Sequence, residues 1–118
     1  RLARALTLFA ATAAQVDPID TVFTNFRDDA GFRSECLAAR RDGFTGKMAI
    51  HPGQLEIINR AFAPSPDEIA RAVAIVSAAA QYQAAGIAAF ALEGRMIDAP
   101  VVKSAENVLA RARAAGLI

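Results

Sequence analysis

The sequence predicts an α/β fold in which short parallel strands are joined by helical crossovers. Three observations predict it. Segments whose apolar residues recur at helical spacing alternate with short apolar or β-branched runs. Glycine and proline fall at the joints between these segments rather than inside them. The 118 residues are 54% apolar with a heavy bias to alanine, a composition that favours a compact, helix-rich fold.

Each element has its own justification. Leu2, Leu6, Phe9 and Ala13 recur at helical spacing and predict an amphipathic helix of about four turns. Residues 21–26 are rich in β-branched and aromatic side chains and follow Pro18, so they read as a strand. Asp28 or Asp29 caps the next helix, in which Phe32, Cys36 and Ala39 share a face until Gly43 ends it. Residues 47–50 form the second strand; Met48-Ala49-Ile50 is a run of the kind buried on both faces of a parallel sheet. Leu55, Ile58 and Phe62 mark a short helix broken at Pro64.

Ser65-Pro66-Asp67-Glu68 is a strong helix start, with serine at the cap, proline at the first position and a returning glutamate at the third. That helix carries Ile69, Val73, Val76 and Ala80 and runs to Gly86. Residues 87–92 are a third, alanine-rich strand. Pro100 opens a last helix carrying Val101, Ala105, Val108, Leu109 and Ala112, closed by Gly116.

The resulting order, α-β-α-β-α-α-β-loop-α, calls for parallel strands with helical crossovers. Three strands cannot close a barrel, and a sheet so narrow leaves helix faces uncovered. An eight-stranded α/β barrel takes about 250 residues. The expected fold is therefore the C-terminal portion of a (β/α)8 TIM-type barrel with additional C-terminal helices. A complete small three-layer α/β domain is the alternative. The chain opens at Arg1 inside a helical pattern without an initiator methionine, which favours the longer polypeptide.

A formal charge of +1, with basic and acidic residues interspersed, gives no reason to expect nucleic acid as a partner. No apolar run approaches the ~18–20 residues that span a bilayer, so no membrane partner is expected. The single cysteine, Cys36, makes no internal disulfide, and with no signal peptide in view a reducing cytoplasm is the expected location.

The stretch Gly43-Phe44-Thr45-Gly46-Lys47-Met48-Ala49-Ile50-His51-Pro52-Gly53-Gln54 reads as helix stop, strand, strand-end loop and helix start. His51 and Pro52 fall at the strand's carboxyl end, the rim where α/β barrels bind ligands. A lone histidine beside proline is most often a structural donor to backbone carbonyls. With no second histidine or cysteine nearby, it is a poor metal ligand. Lys47 and Asp20 open strands and so belong to the opposite, bottom face; pairing of Lys47 with a phosphate is the minority alternative. Cys36 belongs to the core with Phe32. Asp98, two residues before Pro100, reads from pattern alone as a helix cap.

Several segments carry a resemblance. They are Ile19-Asp20-Thr21-Val22-Phe23 with Phe26-Arg27-Asp28-Asp29-Ala30-Gly31-Phe32, Gly43-Phe44-Thr45-Gly46-Lys47 with Ile50-His51-Pro52 and Gln54, Ala61-Phe62 with Pro64-Ser65, and Gly94-Arg95-Met96-Ile97-Asp98-Ala99-Pro100-Val101. In this order the chain resembles the C-terminal half of the citrate lyase beta-subunit-like family, which includes malyl-CoA and citramalyl-CoA lyases within the HpcH/HpaI aldolases.

The resemblance implies an α/β-barrel lyase that cleaves or forms a carbon–carbon bond between a 2-oxo acid and an acyl-CoA or acyl-carrier thioester. It implies Mg2+ to stabilise enolate-like charge, with metal ligands upstream and none in this segment. It further implies a homotrimer or a dimer of trimers. Residues 1–92 would then be the last βα units and 93–118 a C-terminal lid loop and helix.

The resemblance makes Asp98 the leading catalytic residue, a carboxylate that reaches a neighbouring subunit's active site and moves a proton at the thioester α-carbon. Ile50, His51 and Pro52 would lie near CoA. Asn25 and Arg95 are candidate substrate contacts, although a solvated arginine is the ordinary role for Arg95. The contrasting expectation is a non-catalytic accessory or binding subunit that lacks the metal site.

Overall fold

The computed structural model describes residues 1–118, which form two compact units, Arg1–Phe62 and Ala63–Ile118. The first unit holds α1 (Leu2–Ala14), β1 (Ile19–Asp20), α2 (Asp29–Asp42), β2 (Gly46–Lys47) and α3 (Gly53–Phe62). β1 and β2 are parallel, with Ile19 opposite Gly46 and Asp20 opposite Lys47.

Both strands are shorter than expected. The Asp20 carbonyl still accepts from the Met48 amide at 3.0 Å, but beyond it the two chains part. In residues 21–26, expected as strand, the Thr24 and Asn25 carbonyls accept from the Phe26 and Asp28 amides of their own turn. In residues 47–50 the Ile50 amide donates to the Gln54 side chain instead of a neighbouring strand. Each ladder ends where local partners take over its polar groups.

α2 follows its expected form. Asp28 Oδ1 accepts from the Gly31 amide at 2.9 Å, and Gly43 closes the helix in the left-handed region at φ 118°. A Cβ at Gly31 would collide with the capping carboxylate. Phe32, Cys36 and Ala39 are buried, and Phe32 and Cys36 form a core with Ala61, flanked by Phe23, Ile57, Ile58 and Phe62.

α1 corrects the expectation about its face. Leu2, Leu6 and Phe9 are exposed, while Arg4, Ala5 and Leu8 are half-buried and Ala11 is buried. The face that packs carries Arg4, whose guanidinium binds Asp20 and lies 4.6 Å from the Phe44 ring centre. In α3, likewise, Leu55 faces outward and the polar Gln54 faces inward.

At the centre of this unit sits Lys47, whose side chain has no exposure. Its Nζ donates to Asp20 Oδ2 at 2.9 Å and to Glu35 Oε1 at 2.6 Å, while Arg4 binds the other Asp20 oxygen. Burial alone would raise the Asp20 pKa, but bonds from Lys47, the Thr21 amide and Arg4 outweigh it and hold the carboxyl below its usual range. Burial would lower the Lys47 pKa, and Glu35 and Asp20 together push it up instead. The expected phosphate-pairing alternative for Lys47 is thereby corrected, since both carboxylates occupy its ammonium. Burial also pushes the Cys36 thiol up.

The second unit holds α4 (Pro66–Ala84), β3 (Phe90–Leu92), β4 (Arg95–Ile97) and α5 (Ala99–Ala114). Ser65 caps α4 with the full reciprocal box. The helix packs through Ala72 and Ile75, supported by Ile69, Val76 and Ala79, whereas Val73 of the expected face is 46% exposed. α4 and α5 enclose a core of Ala72, Ile75, Phe90, Ile97, Ala105 and Leu109. Tyr82 stacks on Phe90 at 4.3 Å.

The expected third parallel strand, 87–92, is corrected to an antiparallel hairpin. Phe90, Ala91 and Leu92 pair with Ile97, Met96 and Arg95. Glu93 and Gly94, at φ 51° and 76°, make the two-residue turn whose twist suits such a hairpin. The segment expected as a lid loop therefore contains a strand. The described residues form two two-stranded sheets and close no barrel.

Lys47→Met should destabilise the full-length protein by about 3–5 kcal/mol in denaturant titrations, because it strands a buried carboxylate. Adding Asp20→Asn should recover part of the loss; no recovery would contradict the pairing. Stability should also depend on pH at both ends. Asp20, held low in the fold, contributes above the free carboxylate value of about 3.9, and this is lost as pH falls through its folded pKa. Lys47, held high, contributes below about 10.4 and loses this as pH rises through its folded pKa. The melting temperature of Lys47→Met should lack the alkaline decline.

Candidate functional site

In the first unit, the chain beyond β1 and β2 forms two loops at the strands' carboxyl ends, residues 21–28 and 48–53. Gln54 joins them. It is 1% exposed, its Oε1 accepts from the Ile50 amide at 2.9 Å, and its Nε2 donates to the Phe23 carbonyl at 3.0 Å. A buried amide satisfied on both sides holds two loops as one surface.

His51 stands on that surface, exposed. Its Nδ1 accepts from the Gly53 amide at 3.0 Å, which corrects the expectation that it donates to backbone carbonyls. An accepting Nδ1 puts the proton of the neutral ring on Nε2. The imidazole stacks on Phe26, with centroids 5.0 Å apart and planes at 10°, and the Arg27 guanidinium lies 5.8 Å from the Phe26 ring centre. Ile50 and Pro52 are exposed beside it. Asn25 is also exposed; because β1 ends at Asp20, Asn25 belongs to the loop and not to a strand end, and its carbonyl accepts from the Asp28 amide.

In the second unit, Asp98 joins β4 to α5. Its Oδ1 accepts from the Val101 amide at 3.2 Å, so it caps the helix, and Pro100 occupies the first turn. The other oxygen, Oδ2, accepts no hydrogen bond from the chain. Arg95 lies three residues earlier on β4, exposed, at the rim of a groove of about 500 Å³ that Arg71 of α4 also lines.

No group of three or more histidine, cysteine, aspartate or glutamate side chains converges in a way that could hold a metal ion. The buried Asp20 carboxylate is committed to Lys47 and Arg4. These residues do not fit a Mg2+ site, and no metal-dependent step is assigned to them.

Sequence reasoning missed the structural part of Gln54 and passed over Arg71. Gln54, Ile57, Ile58 and Ala61 share a helical face, and a glutamine on an otherwise apolar stripe is the signal that could have found the first. A glycine-containing pair between Leu92 and Arg95 could have found the hairpin that turns Arg95 toward α4.

Helices beside short parallel strands, with loops gathered at the strands' carboxyl ends, are the local pattern of an α/β fold. The chain belongs to the C–C bond lyase family of the TIM-barrel fold, whose model matches residues 3–117. It is 38% identical over 111 residues to citrate lyase subunit beta of Haemophilus influenzae, which covers 94% of this chain and 38% of that protein. It is 36% identical over 107 residues to the mitochondrial citramalyl-CoA lyase of Rattus norvegicus, covering 91% of this chain and 32% of that protein. Among solved structures, protein CitE of Mycobacterium tuberculosis, in complex with magnesium, acetoacetate and coenzyme A, superposes with a TM-score of 0.78 at 34% identity. That match covers 93% of this chain and 40% of the other. The chain thus spans 32–38% of the length of these two curated relatives.

Gln54→Leu keeps the bulk but leaves the Ile50 amide and Phe23 carbonyl without their partner. It should cost about 1–3 kcal/mol and speed hydrogen exchange at the Ile50 amide. Unchanged exchange there would show that the two loops are held some other way.

Proposed function

We propose that these residues form the carboxyl-terminal part of a carbon–carbon lyase that cleaves or assembles a malyl-CoA- or citramalyl-CoA-type thioester, with Asp98 as proton carrier. Family membership supports the reaction class. The coenzyme A and magnesium held by the Mycobacterium tuberculosis relative support the thioester and the metal, and the metal's ligands would come from outside this segment. In cleavage, the substrate hydroxyl gives its proton to solvent as the bond between its carbon and the thioester α-carbon breaks, leaving a 2-oxo acid and a thioester enolate. The enolate carbon takes a proton from the Asp98 carboxyl, and the reverse transfer opens condensation.

The observation that carries this role is the division of labour within the Asp98 carboxylate. Oδ1 is fixed by the Val101 amide, which orients the group, and Oδ2 is left available. Capping and proton transfer are therefore compatible in one side chain. The reading extends to residues 93–118 as a lid over the active site of an adjacent subunit, in a homotrimer or dimer of trimers in the cytoplasm. Ile50, His51 and Pro52 would stand beside CoA, with Asn25 and Arg95 meeting substrate.

Asp98→Asn tests the role in the full-length enzyme, since asparagine caps about as well as aspartate but carries no carboxyl proton. Turnover of malyl-CoA or citramalyl-CoA should fall by roughly 10²–10⁴-fold, with melting temperature and thioester affinity nearly unchanged. Near-normal turnover would sink the proton-carrier role. Asp98→Ala should in addition lose about 1 kcal/mol of stability with the cap. A wild-type enzyme inactive on every thioester, with Mg2+ supplied, would favour the accessory-subunit reading instead.

A further inference from the structure

The groove in the second unit is not used by Asp98. Ile75 of α4 and Ile97 of β4 form its buried floor, Leu92 lies against it, and Arg71, Arg95 and Glu93 stand around its rim. Successive residues of a strand face opposite ways. Arg95 is two residues from the buried Ile97 and opposite Leu92, while Ala91 and Met96 form the outer face, with Met96 76% exposed. Arg95 therefore belongs to the hairpin's inner face, toward the helix that carries Arg71. The turn at Glu93 and Gly94 fixes this register.

Neither guanidinium is engaged by a carboxylate or a hydrogen-bond acceptor of the chain. Glu93 offsets one of the two positive charges, which leaves the rim with a surplus cation over an apolar floor. A guanidinium fork matches a phosphate in shape and charge. The groove asks for an anion joined directly to an apolar body. A phosphopantetheine arm has that construction, because its phosphate is one methylene away from a carbon bearing two methyl groups.

We infer that this groove binds the phosphate next to the pantoyl group of the thioester carrier, with Arg71 and Arg95 as its ligands and the paired methyl groups on Ile75 and Ile97. The inference rests on the thioester reading above and adds Arg71 to it. The phosphate is common to coenzyme A and to a phosphopantetheine arm borne by a carrier protein.

Calorimetric titration of the full-length protein with coenzyme A, 4′-phosphopantetheine and pantetheine tests it. Arg71→Gln and Arg95→Gln should each weaken coenzyme A and 4′-phosphopantetheine about tenfold and leave pantetheine affinity as in the wild type. Both side chains are exposed, so melting temperatures should hold, and Arg71→Lys and Arg95→Lys should retain part of the affinity. A wild-type preference for coenzyme A over 4′-phosphopantetheine would support free CoA as the source, and equal affinity a carrier-borne arm.

Unchanged coenzyme A affinity in the double glutamine variant would overturn the inference. So would an equal loss for pantetheine, a loss confined to coenzyme A, or a wild type that binds none of the three. Arginine-dependent binding without carbon–carbon cleavage would remove the lyase reading and leave the phosphate site standing. Cleavage with arginine-independent binding would do the reverse.

Discussion

The ammonium of Lys47 has no access to water, so the surrounding chain must supply the charge and hydrogen bonds that water would have supplied. Asp20 from β1 and Glu35 from α2 do so, and Arg4 from α1 completes the neutralisation of Asp20. Four elements are tied together at one point as a result. Replacing the whole cluster with apolar groups need not weaken the fold, but removing one member leaves a charge stranded in a poor solvent. Such a cluster specifies which faces meet. It explains why α1 turns Arg4 inward and leaves Leu2, Leu6 and Phe9 outside.

That anchoring has a consequence at the other end of the strands. Asp20 and Lys47 are the last paired residues of β1 and β2, and the loops that carry Phe26 and His51 begin immediately after them. The charged cluster fixes where each loop departs, and Gln54 fixes how the two loops meet. The surface at the strand ends is held from below by charge and from within by a buried amide. The second unit reaches its order differently, through an apolar core between α4, α5 and a hairpin.

Helix boundaries were legible in the sequence because they depend on local chemistry. Asp28, Gly43, Ser65 with Glu68, and Asp98 with Pro100 each act within one turn, and each does what its type and position imply. Strand extent was not legible, because a ladder is decided by two chains at once; residues 21–26 have strand composition but bond within their own turn. Helix faces were half legible. The stripe on α5 was read correctly, whereas that on α1 was not, since a single arginine with a buried partner outweighed its leucines. In the candidate site, the positions of His51, Arg95 and Asp98 at element junctions could be read from pattern. The bond from the Gly53 amide that orients His51, the Gln54 bridge that holds its loop and the nearness of Arg71 to Arg95 could not, because they enter only through the fold.

The position of Cys36 gives the protein an intrinsic reporter. It is the only sulfhydryl in the chain and is fully enclosed with Phe32 and Ala61 in the core of the first unit. An alkylating reagent needs an accessible thiolate, and here enclosure denies access while also disfavouring ionisation. Labelling must wait for that core to open, so its rate measures the free energy of local opening in Arg1–Phe62, the unit that encloses it. The opening of the first unit can thus be timed with one reagent and no engineered probe.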